Sequence, residues 1–110
     1  MIPRLNRALV LEHRVEAPDG AGGYSASWEI LGSLWAEITP GRGRAKAGVT
    51  TAVSAVPYQI TVRAAPVGAR SRPVAGQRFR DGERFYRIDA VAERDASRRY
   101  LVCSAEEVTA

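Results

Sequence analysis

The chain is 110 residues long, 45% hydrophobic and 25% charged, with a formal net charge of +4. That is the size of one domain with room for a real core, so a single domain over residues 1–110 is expected and a disordered or fibrous chain is excluded. One Cys and one His exclude an internal disulfide framework, a Cys-based zinc cage and a His–His metal pair within one chain.

Met1–Arg14 offers only Ala8–Leu11 as an apolar run, broken by Glu12 and His13, which is not the pattern of a secretory leader. The expectation is a cytoplasmic, reduced, soluble protein. A short helix over Pro3–Ala8 is one reading of the first residues. A first strand follows, with Leu9, Leu11, His13 and Val15 on one face and Ala8, Val10, Glu12, Arg14 and Glu16 on the other. A glycine-rich loop, Ala17–Ser27, with Pro18, Asp19-Gly20 and Gly22-Gly23, leads to a second strand, Trp28–Ile38. Trp28, Ile30, Leu34, Ala36 and Ile38 lie on one side of it, and Gly32 marks a candidate bulge or bend.

Pro40–Thr51 is a second long loop, or a loop enclosing a short helix, with Gly41, Gly43 and Gly48 among the cations Arg42, Arg44 and Lys46. The third strand spans about Val53–Ala64. Val56, Tyr58, Ile60 and Val62 alternate with Gln59, Thr61 and Arg63, and Pro57 points to an edge position or a late start in the ladder. The longest uncharged stretch, Ala47–Val62, is 16 residues. It falls short of the roughly 20 apolar residues that span a bilayer, and no membrane partner is expected.

Asp81-Gly82 between strand-like flanks reads as a two-residue type I′ hairpin turn, with Arg80 opposite Glu83 and Gln77 opposite Tyr86. Phe79, Tyr86 and Ile88 then face inward, and Arg78, Arg80, Glu83, Phe85, Arg87 and Asp89 face outward. A turn at Arg94–Ser97 leads to a last strand, Arg98–Ala105, with Leu101 and Cys103 on one face, and Glu106 and Glu107 read as a solvated tail. About six strands with one apolar face must close on themselves to bury it. The fold class is all-β, a small antiparallel β-barrel with long loops.

The charge is unevenly spread. Residues 1–40 carry three basic and five acidic groups, residues 41–80 eight basic and no acidic group, and residues 81–110 five basic and seven acidic. All of the excess positive charge therefore sits in the middle third. Fifteen of the 16 basic residues are Arg, which suits phosphates and tight interfaces and is also the usage of a GC-rich genome.

Catalysis is not expected. His13 lies on the apolar strand face, where a packing role is the simpler reading, and Cys103 reads as a small core residue. No phosphate-cradling glycine loop, dinucleotide fingerprint or acidic cation loop occurs, so no cofactor and no metal are expected. What remains is the basic loop, with Arg42, Gly43, Arg44 and Lys46. It has the composition of an arm that meets a nucleic-acid backbone without reading sequence, and equally that of a solvated loop.

Four segments in order carry a family resemblance: Leu34-Trp35-Ala36-Glu37-Ile38-Thr39-Pro40, then Tyr58-Gln59-Ile60-Thr61-Val62-Arg63, then Arg78-Phe79 with Gly82 and Phe85-Tyr86-Arg87-Ile88, and finally Arg98–Glu107. Together they resemble the head–tail joining proteins of long-tailed bacteriophages and phage-derived gene transfer agents, also called head-completion or stopper proteins. The resemblance covers about Leu5–Glu107. It implies a barrel that assembles as a homo-oligomeric ring between the portal-bound adaptor and the tail, meeting a tail terminator or tail-completion protein. It implies host cytoplasm during assembly and the head–tail junction of the particle afterwards. In the family the loop between the second and third strands points into the DNA channel and can plug it, which maps to Pro40–Thr51. A ring needs two different complementary faces on each copy, and the outward row Arg78, Arg80, Glu83 and Arg87 is the candidate ring interface. The alternative reading is a free-standing nucleic-acid-binding barrel of OB type that uses the same basic loop.

Overall fold

The computed structural model describes residues 2–41 and 56–108. Its strands are β1 (Arg7–Pro18), β2 (Tyr24–Pro40), β3 (Val56–Arg63), β4 (Arg78–Asp81), β5 (Arg84–Glu93) and β6 (Tyr100–Val108). All neighbours pair antiparallel, and the sheet closes as a barrel in the order β1-β2-β3-β6-β5-β4. The expected all-β barrel is the fold. Every strand points at least one apolar side chain inward: Leu9 and Leu11, Ala36, Ile60 and Val62, Phe79, Tyr86 and Ile88, and Leu101, Cys103 and Ala105 are all buried. Burying each Leu, Ile or Phe of this set stabilises the fold by about 1.5–3 kcal/mol.

Two bulges let the sheet curl. In the β1–β2 ladder Leu11 pairs with Gly32 and Glu12 with Ile30, leaving Leu31 as the extra residue. In the β5–β6 ladder Ile88 pairs with Ala105 and Ala90 with Ser104, leaving Asp89 unpaired. An extra residue reverses the alternation of side chains beyond it. This corrects two expected faces. Leu34, Ala36 and Ile38 turn toward the core, whereas Trp28 and Ile30 stand outside, with Ile30 56% exposed. On β1, Leu9 and Leu11 are buried but His13 and Val15 do not follow them, and Glu12 is buried in their stead.

The β4–β5 hairpin forms, with its register displaced by one residue on each strand. Asp81 pairs with Arg84, Arg80 with Phe85 and Phe79 with Tyr86, so the turn residues are Gly82-Glu83. Gly82 has φ +63° and Glu83 does not share the positive φ, which is the pattern of a type II′ turn rather than type I′. Displacing both strands together preserves parity, so Phe79, Tyr86 and Ile88 still face inward. The segment before β1 is not helical. At the other terminus β6 runs on to Val108, so Glu106 and Glu107 are strand residues paired with Pro57 and Val56, not a tail. Cys103 lies in the core as expected, and β3 is flanked by β2 and β6, with Pro57 near its start.

The expected loop Ala17–Ser27 is mostly ladder. Pairing continues to Pro18 opposite Tyr24, and only Asp19–Gly23 turns. Asp19 organises that turn, accepting hydrogen bonds from the N–H groups of Ala21 (2.8 Å) and Gly23 (3.1 Å), which hold its carboxyl below the usual range. β1 meets β4 only over Val10–Glu12, and β2 meets β3 only over Ala36–Pro40. Residues 13–18 and 24–29 therefore leave the barrel as a two-stranded ribbon about 20 Å long, at roughly 3.3 Å per residue. β2 runs from this ribbon to the opposite rim, where Gly41, Val56, the Gly82-Glu83 turn and the end of β6 gather.

Candidate functional site

The outer wall where the ribbon joins the barrel is built on the pairing of Glu12 with Arg78. Arg78 Nε donates to Glu12 Oε1 at 2.8 Å, and Arg80 Nε lies 3.6 Å from Glu12 Oε2. The Glu12 side chain is 4% exposed and that of Arg78 17%. The Arg78 guanidinium is stacked between two rings, 4.1 Å from the Trp28 centroid and 4.2 Å from that of Phe85. A cation between two aromatic faces gains from both quadrupoles, and the rings keep water off the ion pair. Further along the wall, Arg87 bonds Asp89 (3.1 Å) and Glu106 (3.0 Å). Of the four residues expected at an interface, Arg78, Arg80 and Arg87 share this wall. Glu83 sits at the exposed hairpin turn. Sequence reasoning missed Glu12 and Trp28 as members of this cluster. For Trp28 the signal was the glycine beside the bulge, which turns it outward; Glu12 stands on its expected outer face, and only its pairing with Arg78 was missed.

The rim at the other end is tied by a second cluster. Arg84 donates from Nε and Nη2 to the two carboxylate oxygens of Glu107, at 2.6 and 2.9 Å. Arg84 Nη2 also reaches the Tyr58 hydroxyl at 3.4 Å, and Tyr58 packs edge-on against Tyr86, centroids 5.4 Å apart at 87°. The bonds from Arg84 hold the Glu107 carboxyl below the usual glutamate range, and burial pushes the Tyr86 phenol up. Arg7 pairs with Asp81 on the same rim. Gly41 N–H donates to the Pro57 carbonyl at 3.0 Å, closing the stem from which residues 42–55 depart. The candidate channel residues Arg42, Gly43, Arg44 and Lys46 lie in that segment, outside the described residues.

His13 is not a core residue. It stands on the ribbon opposite Glu29, with Nε2 3.4 Å from a carboxylate oxygen and its side chain 37% exposed. Burial pushes the Cys103 thiol up to about 12, which removes the thiolate a nucleophile needs. Among the described residues no group of three or more His, Cys, Asp or Glu side chains could hold a metal ion. The site is thus a set of cross-braced charges on two surfaces, suited to holding shape against a neighbour.

Comparison with known proteins agrees on one class. A family model described as phage head completion protein matches residues 1–108. Among solved structures, a chain from the virion of a native gene transfer agent particle is 54% identical, with TM-score 0.81. The match covers 99% of this chain and 100% of that one. No curated protein matches.

Proposed function

Because the chain belongs to the phage head completion protein family, we propose that it is a structural, non-catalytic connector of a phage-like particle, forming a homo-oligomeric ring between the portal-bound adaptor and the tail. The single observation that carries this reading is the end-to-end similarity, at 54% identity, to a chain of a gene transfer agent virion. Its place is the virion, after assembly in the host cytoplasm. The barrel supplies a body whose two ends differ, the ribbon at one and the Gly41–Pro57 contact that leads to residues 42–55 at the other. Such asymmetry suits a part that meets one ring above and another below, with heterologous contacts to its own copies.

In this reading Arg42, Gly43, Arg44 and Lys46 belong to the loop that enters the channel and closes it after packaging. Contact with double-stranded DNA is electrostatic and independent of sequence, because cations without an interleaved aromatic address phosphates and not bases. The outer wall with Arg78, Arg80 and Arg87 faces a neighbouring copy. A free-standing nucleic-acid-binding barrel would lay successive bases on a platform of open aromatics; Trp28 and Phe85 are taken up by Arg78, and the exposed Tyr24 and Trp35 stand singly at separate points along β2.

The test is a cryo-electron reconstruction of the particle that carries this chain. The expected result is a ring of barrels of this topology at the head–tail junction, with density from each stem reaching the axis. Density for the chain elsewhere in the particle, or as isolated single copies, overturns the proposal.

A further inference from the structure

β2 is paired with β1 along its length but with β3 only from Ala36 onward. Before Ala36 the two strands part, since β3 ends at Arg63 while β2 runs on into the ribbon. Residues 31–35 therefore keep an edge of backbone N–H and C=O groups that no other strand of the described residues takes up. Beside that edge lie two adjoining cavities of about 460 and 340 Å³, both lined by Ser33 and Leu34, which make one trough along the strand. Leu5 and Trp35 extend its apolar surface. Arg63 lines one part and Arg70, whose Nη2 also donates to the Ile30 carbonyl at 3.4 Å, the other, and no carboxylate lines either.

Three features say what fits there. From Ile30 to Trp35 the edge carries no charge and no proline, whereas the ribbon's other strand bears Arg14, Glu16 and Pro18, residue types that block edge-to-edge pairing. The trough's charge is of one sign, since residues 63–80 contain no Asp or Glu and both Arg63 and Arg70 are exposed. Trp35, 61% exposed, is a large aromatic anchor with no occupant. A second copy of the chain is a poor match among the described residues, because Glu12, Glu106 and Glu107 are already bonded to Arg78, Arg87 and Arg84, and the exposed Glu16, Glu29 and Glu83 belong to the ribbon and the hairpin rather than to a free extended segment.

We propose that this trough receives an extended acidic segment of another protein of the particle, added as a strand to the edge at residues 31–35. Its carboxylates meet Arg63 and Arg70, and the apolar side chains of its outer face lie against Trp35. The proposal rests on the reading of the chain as a particle component.

The experiment places a benzophenone-bearing amino acid at Ser33, purifies particles, illuminates them and sequences the cross-linked peptide by mass spectrometry. The expected product joins Ser33 to an Asp- or Glu-containing segment of a different particle protein. Its yield per incorporated chain should fall about tenfold in the Arg63→Gln/Arg70→Gln background, the loss of roughly 1.4 kcal/mol of charge-assisted contact. A cross-link to a second copy, a partner segment without acidic residues, an unchanged yield, or no cross-link in particles that contain the chain each overturns the proposal. Immunoblotting of the same particles separates the two levels: absence of the chain overturns the connector reading, and the trough proposal with it.

Discussion

Arg78 reaches Glu12 across the β1–β4 ladder at 2.8 Å while its guanidinium is held between the rings of Trp28 and Phe85. Four strands meet in that contact: β1 supplies the carboxylate, β4 the cation, and β2 and β5 the rings. It fixes the ribbon to the barrel wall at the point where the ladders on either side run out.

Arg78→Ala should therefore cost about 2 kcal/mol or more, because it strands the Glu12 carboxylate at low exposure and removes two cation–aromatic contacts. Arg80, 3.6 Å from the same carboxylate, limits the loss. Arg78→Lys should recover little, since an ammonium cannot stack between two planes as a guanidinium does. Urea denaturation measures both, and a change under 0.5 kcal/mol for the alanine variant would show that the cluster does not brace the fold.

Gly82 opens the β4–β5 turn at φ +63°. A β-branched residue resists that conformation, so Gly82→Val should destabilise by about 1 kcal/mol or more, and Gly82→Asn by less. Thermal unfolding of the two variants gives the order, and equal melting temperatures for all three proteins would count against the type II′ turn.

The rim cluster gives a pH dependence. Arg84 holds the folded-state pKa of Glu107 below the unfolded value of about 4.3. The pair therefore adds stability above that value, and the contribution is lost as pH falls through the folded pKa. A carbon-13 NMR titration should place the Glu107 midpoint below 4.3 and should move it up in Arg84→Gln. A midpoint that stays put in the variant would show that another group sets it.

Most of the barrel is legible in the sequence because period-two alternation is a local property. Phe79, Tyr86, Ile88, Leu101 and Cys103 can be assigned inward from spacing alone, and the hairpin's face assignment survives a displaced register. The outer-wall cluster is not legible in that way. It depends on the bulge at Leu31, which reverses the faces of Trp28 and Ile30, and on a pairing between residues 66 positions apart, Glu12 and Arg78. The ribbon was hidden for a different reason: Asp19-Gly20 and Gly22-Gly23 suggest a long loop, whereas the flanking Ala17, Pro18, Tyr24 and Ser25 are drawn into the ladder. Glu106 and Glu107 look like a solvated tail until Arg87 and Arg84 are seen to hold them.

The candidate channel loop is open to charge reversal. Arg42→Glu/Arg44→Glu/Lys46→Glu should leave the melting temperature close to that of the parent, at roughly 0.5 kcal/mol or less per surface site. Heads should still join tails, but the particles should leak their DNA, because in the proposed ring many copies would present these cations together at high effective concentration. Particles that keep nuclease-protected DNA at the parental level would remove the channel role from these three residues, and a variant that fails to fold would place the segment in the core.

Head completion itself is tested most directly by removing this chain from a producing cell and counting particles by negative-stain electron microscopy alongside nuclease-protected DNA. The expected result is tailless heads and free tails in the same preparation, with protected DNA lost, and rescue of both when the chain is supplied from a second locus. Tailed, DNA-filled particles at the parental number in its absence would contradict a role in completing the head.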